Sequence, residues 1–279
     1  MIVVGVIGIS LSSIFVKYST APSAVTAAYR LLWTILLMSP VTFGSREIRQ
    51  ELLHVTRKNL LLSILSGVFL AFHFTLWFES LRHTSVASST TIVCTEVIWV
   101  SLGYALFLKG RMSLRALLAI GVTLVGSGLI AFSDSSAGGA HLYGDLLSLL
   151  AAIAVAAYVL IGRVVRENVS TTVYTFIVYS SCAVMLLVFC LIQRNSLFGY
   201  GFSGILVGLL LAVFSTILGH SIFSWCLKYF SPSFVSASKL CEPVAAAILA
   251  SVLFGESPAA PRTEVVLAHP DSQLHQFPV

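Results

Sequence analysis

Three ionisable residues stand where ionisable residues are costly: Glu96, Lys239 and Glu242 each lie well inside a long apolar run. A charge at the centre of a membrane-spanning helix costs roughly 2.5–3.5 kcal/mol on insertion, so each needs a partner, a wet cavity or a neutral protonation state. Lys239 precedes Glu242 by three residues, a spacing that sets both on one helix face within pairing distance. Two readings follow. One is a local ion pair that only secures packing. The other is a face lining a wet cavity, on which Glu96 or Glu242 takes up a proton or holds a cationic group. Pro243 withholds a backbone donor from the same run and predicts a kink.

A second tier of residues can support such a cavity. His73 and His220 sit inside apolar runs, and both a neutral hydrogen-bonded imidazole and a proton relay remain open for them. Trp77, Tyr158, Trp99 and Trp225 can stack on a solute, although aromatics in spans also pack against lipid and mark the interface. Lys17 and Arg30 fall nearer span ends and are expected to snorkel to the headgroups. Glu79 is expected to be solvated at a span end. The cysteines, Cys94, Cys182, Cys190, Cys226 and Cys241, lie in apolar runs without metal-ligand spacing and read as buried free thiols. Neither a metal nor a cofactor is expected, and no nucleotide-binding motif occurs.

The elements that must position these groups are helices. Hydrophobic residues make up 57% of the chain and charged ones 10%, against roughly 25% charged in a soluble domain. Apolar runs of spanning length alternate with short polar breaks, and without period-two alternation they can only be helices in hydrocarbon. The spans read as Val3–Tyr18, Pro22–Phe43, Leu60–Leu81, Val86–Leu108 and Leu114–Phe132, then Asp145–Gly162, Thr172–Ile192, Gly204–Leu227 and Phe234–Phe254. Ser133–Tyr143, rich in Ser, Gly and Ala, reads as a linker between two halves. Residues 255–279 read as a disordered tail, with four prolines and no run long enough to span. Ala152 with Ala156, Gly204 with Gly208 and Ala246 with Ala250 carry the small-x-x-x-small spacing of close helix contacts. A net charge of +5 invites a nucleic-acid partner, but the basic residues form no patch and sit in the breaks. Ten of them fall on one side (Arg46, Arg49, Arg57, Lys58, Lys109, Arg111, Arg115, Arg163, Arg166, Lys228) and three on the other (Arg82, Arg194, Arg262), which predicts a cytoplasmic N-terminus.

At an offset of 146 residues, Leu81 meets Leu227, Ser85 meets Ser231 and Glu96 meets Glu242. With an odd number of spans per half, such a repeat is inverted, the arrangement of carriers that bind at the bilayer midplane. The stretches Phe15-Val-Lys17-Tyr, Ala21-Pro22 and Ala28-Tyr-Arg30-Leu-Leu resemble the EamA-like branch of the drug/metabolite transporter superfamily. So do Thr95-Glu96-Val97, Cys241-Glu242-Pro243-Val244 and Phe254-Gly255-Glu256.

The resemblance implies an all-α, polytopic membrane helical bundle: an inverted repeat of five-helix units, 1–132 and 144–254, joined by the 133–143 linker, with the last helix missing. It implies a secondary transporter of small organic metabolites, amino acids or toxic compounds working by alternating access. The partners implied are a small-molecule substrate, the lipid bilayer, a coupling proton or ion and a second copy in a homodimer. The substrate-cavity candidates are Glu96, Glu242, Lys239, His73, His220, Trp77, Tyr158 and Trp225, and no residue is assigned a catalytic role. Two alternatives stay open. One is a non-functional fragment, because the run after Gly255 turns to Pro258-Ala-Ala-Pro261. The other is an intramembrane enzyme: Asp134 and Asp145 lie at span ends, which argues against an aspartyl form, and no surrounding motif supports a serine form on Ser127 and His220.

Overall fold

A computed structural model describes residues 1–110 and 139–242, together with residues 118, 121, 122, 125, 249 and 252. The expected fifth span, the end of the ninth with Pro243, the tail, Ser127 and the Ala246–Ala250 pair therefore lie outside the described residues, isolated positions aside. Within them the chain is helical: α1 (Ile2–Lys17), α2 (Ser23–Gly44), α3 (Arg46–Leu53), α4 (Arg57–His83), α5 (Val86–Val93) and α6 (Glu96–Phe107) come first. Then follow α7 (Gly139–Val165), α8 (Thr171–Ile192), α9 (Gly201–Leu210), a π-helical stretch (Leu211–His220), α10 (Ser221–Cys226), α11 (Pro232–Ala237) and a 3₁₀ turn (Ser238–Cys241).

Six of these stretches are long and apolar enough to cross a membrane: Ser23–Gly44, Arg57–His83, Val86–Phe107, His141–Val165, Thr171–Ile192 and Gly201–Cys226. Helix α1 is apolar but shorter. Leu36, Val41, Leu61, Leu65, Val184 and Leu191 face outward, while Ser63, Ser66, Ser89, Thr90, Thr216 and Ser224 are buried. Apolar outside and hydroxyl-rich inside is the reverse of a soluble fold and suits a hydrocarbon solvent, in which polar groups must find partners within the protein. The chain is thus a polytopic, multi-pass helical bundle.

Helix starts follow the capping rule, because the first-turn N–H groups need acceptors. Ser45, Thr56, Ser85, Ser170 and Ser231 each accept from the backbone N–H three residues on. Helix α4 runs through the centre, flanked by α7 and α8. Gly67 makes the second approach possible: a Cβ there would collide with the Val178 carbonyl and Ser181 Oγ of α8. Helix α1 lies along the π stretch, where a Cβ on Gly8 would come within 2.5 Å of the Phe214 carbonyl.

The helices differ from the sequence reading in several places. Helix α7 begins at Gly139, so the last residues of the expected linker are helical. The fourth span is two helices, broken at Cys94–Thr95. The eighth contains ten π-helical residues, in which Thr216 Oγ donates to the Leu211 carbonyl and Ser221 Oγ to the Thr216 carbonyl, both five residues back. Hydrophobicity reports that a segment is buried in lipid; it is blind to local changes in helical pitch.

Candidate functional site

Two broken spans bring the charges together. Glu96 opens α6 just after the Cys94–Thr95 break, where peptide N–H groups and the helix dipole favour a carboxylate. On the facing segment, α11 tightens into the 3₁₀ turn that carries Lys239, and Glu242 follows directly. The offset of 146 residues superimposes these breaks in role: Ser85 and Ser231 cap the first pieces, and Glu96 and Glu242 stand just past the interruptions.

Lys239 Nζ donates to Glu96 Oε1 at 2.7 Å, with both side chains 7% exposed. The ammonium also sits 5.1 Å from the centre of the Phe223 ring. The pairing of Lys239 with its neighbour Glu242 gives way to one between spans 143 residues apart. Helix α11 packs on α6, so the Lys239 stem points across that interface towards a carboxylate already favoured by a helix start. Glu242, also buried, lines the cavity beside the pair. Among the described residues its carboxylate forms no hydrogen bond or ion pair.

The cavity is small, about 30 Å³. Ser12, Arg30, His73, Trp77, Cys94, Glu96, His220, Lys239 and Glu242 form its polar lining, and Ile9, Val93 and Val155 its apolar one. That volume holds water-sized occupants only. An organic solute would require the bundle to open.

Six of the eight candidates from the sequence converge here: Glu96, Glu242, Lys239, His73, His220 and Trp77. His73 Nδ1 is bonded to the Ala151 carbonyl at 3.0 Å, and its ring stacks on Trp77. The rings of His73 and His220 approach to 6.3 Å between centroids. Tyr158 lies one step away. Its ring is 6.0 Å from that of His220 and its hydroxyl bonds Ser224 Oγ at 2.8 Å. Two further tyrosine hydroxyls bond serines nearby in the chain's interior, Tyr174 with Ser66 and Tyr179 with the half-buried Ser221. Trp225 is elsewhere: it is 39% exposed and packs on Tyr229 at the bundle's outer surface.

Arg30 is the principal residue the sequence reading misplaced. It does not snorkel; it is fully buried in the cavity wall. Its Nε donates to Thr216 Oγ1 at 2.7 Å and its Nη1 to Ser12 Oγ at 3.3 Å, while the guanidinium lies over Phe74, 4.1 Å from the ring centre. Thr216 belongs to the π stretch, so the altered pitch of that span helps hold Arg30. A signal was present in the sequence. Thr26, Arg30 and Thr34 recur every four residues, a polar stripe on one face of α2, and all three are buried. Ser12 and Cys94 carried no comparable mark.

Arg163 and Arg166, read from the sequence only as topology signals, also bind backbone. Arg163 donates to the Leu227 and Lys228 carbonyls, and Arg166 to the Ser224 and Val169 carbonyls and Thr171 Oγ1. They close the carbonyl-rich end of the eighth span. Glu51 of α3 accepts from the Ser170 N–H at 2.6 Å and so covers the start of α8.

The fold and site define a many-span helical membrane protein with a charged cavity beside two broken spans. The EamA-like transporter family model matches residues 1–132 and 142–263, and the chain belongs to that family, within the drug/metabolite transporter type. It is similar to Uncharacterized transporter YxxF of Bacillus subtilis (strain 168), with 24% identity over 92% of this chain and 80% of that protein. A solved crystal structure shares its fold, with a TM-score of 0.67 at 16% identity over 92% of this chain and 88% of the other.

Proposed function

We propose that the protein is a secondary carrier of small organic solutes that works by alternating access around the Arg30–Glu96–Lys239–Glu242 cavity. The observation that carries this reading is the buried Lys239–Glu96 pair, which ties one broken span to its counterpart across the wall of the cavity. A contact between moving halves must break and re-form in an alternating-access cycle, and a buried ion pair beside a third carboxylate can do so by exchanging partners or by taking up a proton. Glu242 is the group we assign to coupling, with His73 and His220 beside it as further proton-accepting sites. We further propose a cytoplasmic N-terminus, from the bias of Lys and Arg among the breaks, a first repeat of five helices (1–132) and a second of four (144–254) within each subunit, and a homodimeric assembly.

The test is flux in proteoliposomes charged with labelled amino acids, sugars, nucleosides, organic acids and a lipophilic cation. Glu96→Gln and Glu242→Gln are each expected to lower flux of the responsive solute at least tenfold, a loss in the range typical of a positioned proton-transfer group. Full transport by both variants would remove these carboxylates from the mechanism.

A further inference from the structure

We propose that the cavity anchors a carboxylate on Arg30 Nη2 and Trp77 Nε1, so that the transported solute is a small organic anion. This rests on the carrier reading above and specifies the chemistry of its site. Arg30 has three nitrogens, and the structure employs two: Nε on Thr216 and Nη1 on Ser12. Among the described residues Nη2 is buried without a hydrogen-bond partner. The indole Nε1 of Trp77, a residue 4% exposed, is likewise buried and unpartnered among the described residues. Both residues line the same cavity.

Guanidinium and indole N–H groups only donate, so whatever completes them must be an acceptor. Buried donors are almost always satisfied, and two orphans in one cavity point to a ligand atom that completes them. Charge narrows the choice. The Lys239 charge is met by Glu96 at 2.7 Å, whereas no carboxylate among the described residues touches Arg30. Glu242, in the same cavity, forms no ion pair with Arg30, and once it takes up the coupling proton assigned to it above, an incoming carboxylate supplies the negative charge facing Arg30. Thr216, Ser12 and the Phe74 face fix the guanidinium plane, so little side-chain freedom is lost when the anion arrives. The cavity of about 30 Å³ holds water-sized occupants as it stands, so the solute, its anionic head group included, enters as the bundle opens.

The experiment is calorimetric titration of the full chain in phosphatidylcholine nanodiscs with acetate and benzoate, against acetamide and benzamide as neutral counterparts of the same shape. Saturable binding of the carboxylates and none of the amides is expected. Arg30→Gln should weaken benzoate binding roughly tenfold or more, since a charge-assisted bond is lost, and Trp77→Phe should weaken it severalfold while keeping an aromatic ring in place. Should Arg30→Gln fail to fold, the wild-type melting temperature, raised by benzoate and not by benzamide, carries the test together with Trp77→Phe. Equal binding of amide and carboxylate, no saturable carboxylate binding, or unchanged binding by Arg30→Gln would overturn the assignment. Glu96- and Glu242-dependent flux without carboxylate binding sinks this inference and leaves the carrier reading standing. Arg30-dependent binding without flux does the reverse.

Discussion

Removing one partner of the Lys239–Glu96 pair should destabilise the protein far more than removing both. At 2.7 Å the Coulomb attraction is about 6 kcal/mol with an effective dielectric constant of 20. Both side chains are 7% exposed, so each ion forfeits several kcal/mol of hydration, and the net worth of the pair falls near zero. Glu96→Gln instead leaves the ammonium against Phe223 with only Glu242, which it does not contact in this structure, and Lys239→Met leaves the carboxylate bare at the α6 start. Each single substitution is expected to cost about 3–5 kcal/mol, and the double variant to recover most of that loss. The assay is reversible unfolding in detergent for wild type, the two singles and the double, giving a coupling energy of about 5–9 kcal/mol by double-mutant cycle. Additive single effects each below about 1 kcal/mol would show that the two residues do not pair in the folded protein, and the argument for a link between the broken spans would fall with them.

Two further outcomes bear on the bundle. Gly67→Ala should cost about 1–3 kcal/mol, because its Cβ meets backbone and side-chain atoms of α8 with no room to yield, whereas Gly44→Ala, with nothing within 4 Å, should be neutral; melting temperatures of the two variants decide. Cys94 is the one buried thiol among the described cysteines that lines the cavity. A small water-soluble methanethiosulfonate should therefore inhibit flux during turnover, and Cys94→Ala should abolish that sensitivity. Inhibition that persists in Cys94→Ala would place the reactive thiol outside the cavity.

Much of the site was legible because burying charge in hydrocarbon is costly. Glu96, Lys239 and Glu242 announced themselves as ions in apolar runs, and six of the eight candidates lie around one cavity. Partner choice was not legible. Three residues of spacing make Lys239 and Glu242 neighbours on a helix, but which carboxylate Lys239 reaches depends on how α11 lies on α6. Arg30 was misjudged for the same reason. Its depth in α2 suits snorkelling, and only the packing of α2 against α4 and the π stretch turns the side chain inward, onto Phe74 and Thr216. Trp225 shows the converse, since an aromatic in a span can face either way and this one faces out.

The amino-acid sequence by itself determined the medium, the helical class and the places where charge enters the membrane, because hydrophobic run length and the cost of an unpaired backbone are properties of the chain and its solvent. Tertiary structure alone decided the breaks at Cys94–Thr95 and Ser238–Cys241, the π-helical pitch of Leu211–His220 and the rotation of each helix about its axis. Those features direct the side chains, and they arise from contacts between segments far apart in the chain: Lys239 with Glu96, and Arg30 with Thr216.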